Sequence, residues 1–220
     1  MASNRIRLTY TKNGPIRYAG HLDLYRVWER IIRRSHLPIA FSNGFHPQVR
    51  MSMGCALPLG FTSQCELIDL WFIGPVPPEE VWASLTPVLP PGLEIIQAQT
   101  IDEHAPALQT QVLSSVYEVT LLDPVDAAWL SGQVTRLLAA PEIQRVWREK
   151  PYNLRPFIES LECLPLNDQG LSRLRMQLSA REGATGRPEE VINALGADAF
   201  LARVDRVALY LAEQTPQASG

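Results

Sequence analysis

From Arg5 to Lys12 polar and apolar residues alternate, so Ile6, Leu8 and Tyr10 would share one face of a strand. Asn13-Gly14-Pro15 then signals a turn, with Ile16 to Ala19 extending or returning the strand. From Leu22 to Ser35 the period becomes helical. Leu24, Val27, Trp28, Ile31 and Ser35 fall on one side, and Pro38 stops the helix. Ile39 to Ser42 and Gln48 to Met53 read as short extended pieces around a tight turn, and Glu66 to Ile73 as a strongly apolar strand. Pro77-Pro78-Glu79-Glu80 opens a short helix, with proline in its first turn and acids at its positive end. Pro87 limits it to about Leu85. Leu93 to Ile101 is a further strand.

After a polar linker at 102–111 a similar order returns. Val112 to Leu122 is a strand, Asp123 caps a helix with Pro124 at its first position, and that helix runs to about Ala140. Ile143 to Glu149, Leu154 to Leu164 and Leu171 to Arg181 read as strands, Pro188 opens another short helix, and Phe200 to Leu211 closes as a strand. The expected fold is α+β: tandem ferredoxin-like β-α-β-β-α-β halves with antiparallel sheets, at 1–104 and, more loosely, 105–220. A chain of 220 residues is long enough for two such units.

Charge adds what periodicity cannot. The net charge is −3, yet residues 1–54 hold nine basic and two acidic side chains, while residues 55–110 hold seven acidic and no basic ones. Eighteen of the twenty basic residues are arginine, which grips phosphate bidentately and stacks on bases. A basic block inside an acidic chain points to a local anionic partner. No run approaches the 18 apolar residues of a membrane span, and no secretory leader pattern precedes Arg5, so the cytoplasm is the expected location. Cys55, Cys65 and Cys163 make an odd count without metal-knuckle spacing.

Three features carry candidate chemistry. Arg26, Arg30, Arg33 and Arg34 form one ridge opposite the apolar stripe of the first helix, with Glu29 as the nearby acid; an anion would relieve their mutual repulsion. Ser42-Asn43-Gly44-Phe45-His46-Pro47-Gln48-Val49-Arg50 is a rigid turn able to offer Phe45 for stacking and His46 and Arg50 for hydrogen bonds. His21-Leu22-Asp23 sits at a strand-to-helix junction, as a helix cap or as the site of a general base. His21, Asp23, His46 and Glu66 have no metal-ligand spacing. Phosphate-loop, dinucleotide, zincin and nucleophile-elbow motifs are absent.

The residues Arg17-Tyr18-Ala19-Gly20-His21-Leu22-Asp23-Leu24, Glu29-Arg30, Arg33-Arg34, Ser42-Asn43-Gly44-Phe45-His46-Pro47, Arg50, Leu57-Pro58-Leu59-Gly60 and Cys65-Glu66 resemble the radical SAM-linked protein family (DUF2344), a bacterial family of undefined activity. It departs from the usual pattern at Ala19-Gly20 and at Gln48-Val49. The resemblance implies a separate partner, a radical SAM protein with a cobalamin-binding-type domain. No C-x-x-x-C-x-x-C spacing is present, so no cofactor is expected in this chain.

These readings converge on a non-catalytic accessory module that binds structured RNA, tRNA or rRNA, beside such an enzyme. Arg17, His21, Asp23, Arg26, Arg30, Arg33, Arg34, Asn43, Gly44, Phe45, His46, Pro47, Arg50 and Glu66 are the expected contacts to nucleic acid or partner. Two alternatives stand beside it. One is a metal-independent ribonuclease or RNA-modifying enzyme using His21 or His46; the other is a module that docks only a protein.

Overall fold

A computed structural model describes residues 3–181 and 183–212. It is a mixed α/β protein with mostly antiparallel sheets and five α-helices among the described residues. Two compact units divide them: residues 3–112 with 211–212, and residues 113–210. No helix among the described residues is long and apolar enough to cross a membrane.

The first unit runs β1 (Ser3–Lys12), α1 (His21–Ser35), β2 (Met51–Met53), β3 (Thr62–Ile73), α2 (Pro78–Leu85), β4 (Leu93–Ile101) and a one-turn helix α3 (Leu108–Gln111). Its strands lie in the order β4-β1-β3-β2, each pair antiparallel. Ile6, Leu8 and Tyr10 of β1 stand directly opposite Leu70, Ile68 and Glu66 of β3. This face carries the apolar core together with Leu24, Trp28, Ile31 and Ile32 of α1 and Val81 and Leu85 of α2. The buried stripe of α1 is thus turned slightly from the expected one. Ile32 is inside, while Val27 sits at its edge, half-buried. α2 and β4 have the expected bounds.

The opposite face of β1 and β3, polar in sequence, is not a solvent face. Arg5 and Arg7 are 1% and 2% exposed and converge on Asp69, which is fully buried. Arg5 Nε and Nη2 donate to Asp69 Oδ2 at 2.9 and 2.5 Å, and Arg7 Nε donates to Oδ1 at 2.7 Å. Their remaining donors reach the segment that covers them: Arg5 donates to the carbonyls of Ala105 and Pro106, and Arg7 to Gln111 Oε1. Residues 105–112, assigned by the sequence to the second half, therefore pack on the first unit.

Two local readings change. Ile16 to Ala19 is not strand, because Gly14–Tyr18 winds as a 3-10 turn with Pro15 setting φ at its start. Ile39 to Ser42 forms only isolated bridges, Ile39 to Phe72 and Phe41 to Val49, and the regular strand is shortened to Met51–Met53.

The second unit runs β5 (Val112–Leu121), α4 (Ala127–Ala139), β6 (Gln144–Trp147), β7 (Lys150–Asn153), β8 (Ile158–Leu164), β9 (Arg173–Arg181), β10 (Ala184–Thr185), α5 (Pro188–Ala194) and β11 (Ala202–Leu211). β9 lies between β5 and β8, and β11 flanks β5; β6 and β7 form a separate hairpin. The cap of α4 is Asp126, which accepts a hydrogen bond from the Trp129 amide at 2.7 Å, rather than Asp123.

Candidate nucleic-acid interface

α1 presents its two faces as amphipathicity dictates. The apolar stripe docks on the sheet and the arginine ridge is left outside. Arg26, Arg30, Arg33 and Arg34 are all exposed. They are not equivalent. Arg26 Nη1 lies 3.4 Å from Asp23 Oδ1, and Arg33 Nη2 lies 2.8 Å from Glu29 Oε1. Arg30 and Arg34 have no ion-pair or hydrogen-bond partner among the described residues. Burial pushes the Tyr25 hydroxyl pKa up, and the Glu29 carboxylate adds to the effect.

Beyond the helix, His36 takes a left-handed conformation at φ 57° and turns the chain toward Pro38. The following loop is stitched to the edge of β3. Ala40 N donates to the Trp71 carbonyl at 2.7 Å, Arg50 N to the Ala40 carbonyl at 2.8 Å, and Ser42 N to the Gln48 carbonyl at 2.8 Å. Asn43, Gly44, Phe45, His46 and Pro47 form its exposed tip, with Gly44 at φ 136°. Phe45 is 103% exposed, so it is not a core residue of a hairpin turn. The phenyl ring thus stands in solvent at the tip of an anchored loop.

Arg33 links ridge and loop. Its guanidinium lies over the Phe41 ring, 5.6 Å from the centroid, at the base of the loop. Arg50 is exposed and lies 4.9 Å from the Trp71 ring centroid, with Arg5 at 4.8 Å from the same ring. Arg33 and Phe41 thus pair on the α1 side of the sheet, whereas Arg50 packs on Trp71, which shares the opposite face with Arg5 and Asp69.

The His21 end of α1 is a second neighbourhood. His21 and Asp23 are exposed in the first turn, where Asp23 complements the helix dipole. Arg17 is half-buried; it donates to the Tyr18 hydroxyl at 2.7 Å and lies over that ring at 4.7 Å. Gly60 N donates to the Arg17 carbonyl, so the Leu57–Gly60 motif braces this turn. The fifteen residues of α1, about 22 Å of helix, separate His21 from the chain's entry into the His46 loop. Among the described residues no hydrogen bond joins the two histidines.

Two expectations need correction. Glu66 is 4% exposed within β3 and is not a surface contact. The N-terminal charge excess overstates the basic surface, because Arg5, Arg7 and Lys12 are buried; Lys12 Nζ donates to the Ala19 carbonyl at 2.9 Å. Within the acidic stretch, Asp69 neutralises the two buried arginines. Two contributors escaped the sequence reading: Tyr18, 60% exposed beneath Arg17, and Phe41, 42% exposed beneath Arg33. Each is an aromatic close in sequence to a motif arginine. Among the described residues no three His, Cys, Asp or Glu side chains gather as a metal site requires.

A mixed α/β chain carrying this arginine-faced helix and anchored aromatic loop falls within a family found in bacteria. The chain belongs to DUF2344, described as an uncharacterised protein conserved in bacteria, whose family model matches residues 5–188. No curated protein matches the sequence. Among solved structures, a Cbf5-Nop10-Gar1 complex is similar at a TM-score of 0.49 and 11% identity, over 94% of this chain and 48% of that chain. An archaeal box H/ACA sRNP Nop10-Cbf5 complex is similar at 0.45 and 12%, over 94% and 48%. The acetolactate synthase small subunit from Thermotoga maritima is similar at 0.28 and 8%, over 98% and 100%. The chain thus spans about half the length of the first two.

Proposed function

We propose that this protein is an RNA-binding accessory module, not itself a catalyst, that works with a separate radical SAM/cobalamin-type enzyme. The observation that carries the RNA reading is the exposed ridge of α1, where Arg30 and Arg34 have no carboxylate partner among the described residues and Arg33 connects to a loop bearing a fully exposed Phe45. Guanidinium groups supply phosphate contacts whose strength falls with salt, and an exposed aromatic supplies base stacking, the two elements of recognition of unpaired RNA. Tyr18 under Arg17 offers a second stacking platform at the other end of the helix. The partner enzyme rests on the family resemblance alone. We read both units as ferredoxin-like: the order β4-β1-β3-β2 in the first and β11-β5-β9-β8 in the second supports this.

The test is binding of labelled tRNA and rRNA fragments at two salt concentrations. Wild type is expected to bind with affinity that drops steeply as salt rises. The Arg26/Arg30/Arg33/Arg34→Glu variant is expected to bind at least about tenfold more weakly, with its log–log salt slope flattened by about 1.5 to 3. Equal retention of RNA by the two proteins would overturn the reading.

Phe45→Ala is expected to leave the unfolding midpoint unchanged, because its ring touches solvent only. It should weaken RNA binding by about 1–3 kcal/mol, the worth of one stacked base. A thermal melt beside a binding titration separates the two effects.

A further inference from the structure

A cleft of about 450 Å³ opens beside the ridge, within the first unit. Its size lies in the range of roughly 300–1,000 Å³ that accommodates small organic groups. One wall is α1, through Val27 and Ile31. Ile16 of the 3-10 turn and Val88 and Leu89, just beyond α2, complete an apolar lining. The walls are held by a close backbone approach. Asn13 N donates to the Gly92 carbonyl at 2.8 Å, and a Cβ at Gly92, which has φ +95°, would collide with the Asn13 carbonyl.

Among the described residues, the charged ones lining this cleft are Arg30 and Arg34. They are also the two ridge arginines without a carboxylate partner among the described residues, whereas Arg26 and Arg33 are paired with Asp23 and Glu29 on the same helix. Two guanidinium groups one helical turn apart repel each other, and a single bridging phosphate relieves both. The occupant that satisfies this site has an apolar body and an attached anion. Charge complementarity and size are those of a nucleotide.

We propose that the cleft receives one unstacked base of the bound RNA, with its phosphate bridging Arg30 and Arg34. This rests on the RNA reading above and makes it more specific. Among the described residues the lining has no neutral polar side chain to read a base edge, so the pocket selects for an unpaired nucleotide and not for its sequence.

The experiment compares a labelled mixed-sequence single-stranded RNA with the matching duplex, on wild type and on Val88→Trp, which obstructs the cleft and leaves every charge in place. Val88→Trp is expected to weaken single-strand binding at least about fivefold while leaving duplex binding and the salt slope unchanged. Because that variant could disturb folding, wild type is also photo-crosslinked to the single strand carrying 4-thiouridine. Crosslinks at Ile31 or within 87–90 are expected. Wild type that binds RNA but crosslinks only elsewhere, or a folded Val88→Trp protein with unaltered single-strand affinity, overturns the cleft and leaves the RNA reading standing. Wild type that binds neither strand form at either salt overturns both.

Discussion

Asp69→Ala should destabilise the first unit by about 3–5 kcal/mol, the cost of leaving buried charge uncompensated. Asp69 is fully buried and is the carboxylate on which Arg5 and Arg7 converge. With it gone, two guanidinium groups keep their carbonyl and amide contacts at Ala105, Pro106 and Gln111 but lose the opposing charge. A chain of this size should show a fall in unfolding midpoint of roughly 6–20 °C. A second variant separates the removal of a charge from the removal of the network. Arg5→Met/Arg7→Met/Asp69→Leu replaces all three groups with apolar ones and should be much less destabilised than Asp69→Ala alone, since a well-packed apolar set matches or exceeds a buried ion cluster. Chemical denaturation measures both. A loss below about 1 kcal/mol in Asp69→Ala would refute the assignment of this triad as a structural lynchpin.

The triad also marks where local reading of the sequence stops. Alternation in β1 placed Ile6, Leu8 and Tyr10 correctly on one face, but it left Arg5 and Arg7 looking like a solvent face. Only Asp69, more than sixty residues away, and the covering segment at 105–111 turn them inward. Elements bounded by proline were legible to the residue, as in α2 between Pro77 and Pro87. The start of α4 was not, because Asp123 and Asp126 are both competent caps and only tertiary context selects the second. The β6–β7 hairpin escaped notice for a different reason. Its turn puts Arg148 and Glu149 at φ 47° and 65°, where glycine, asparagine or aspartate is the usual signal. The arginine ridge was legible because an apolar stripe on α1 leaves its other face outside. The exposure of Phe45 was undecidable, since a hairpin turn can tuck such a ring inward. The cleft could not be anticipated at all. Its walls come from three segments, around Ile16, along α1 and at 87–90, which only the fold brings together.

Trp28→Ala should cost about 3–5 kcal/mol through the cavity it leaves. Trp28 is fully buried on the core side of α1 and meets Tyr10 edge-on, with ring centroids 4.8 Å apart and planes at 70°. Its indole Nε1 is buried without a hydrogen-bond partner, so the side chain contributes by volume and ring contact rather than by its polar handle. Trp28→Phe, which removes that orphan donor and keeps an aromatic ring against Tyr10, should therefore lose far less than Trp28→Ala. Both variants also test the division of labour on α1. Trp28 faces the core while Arg30 and Arg34 face outward, so well below its lowered midpoint Trp28→Ala should bind RNA within about twofold of wild type. A drop in affinity there as large as that of the arginine-to-glutamate variant would mean that core packing and the basic face are not separable, and that the ridge acts only through the helix's stability.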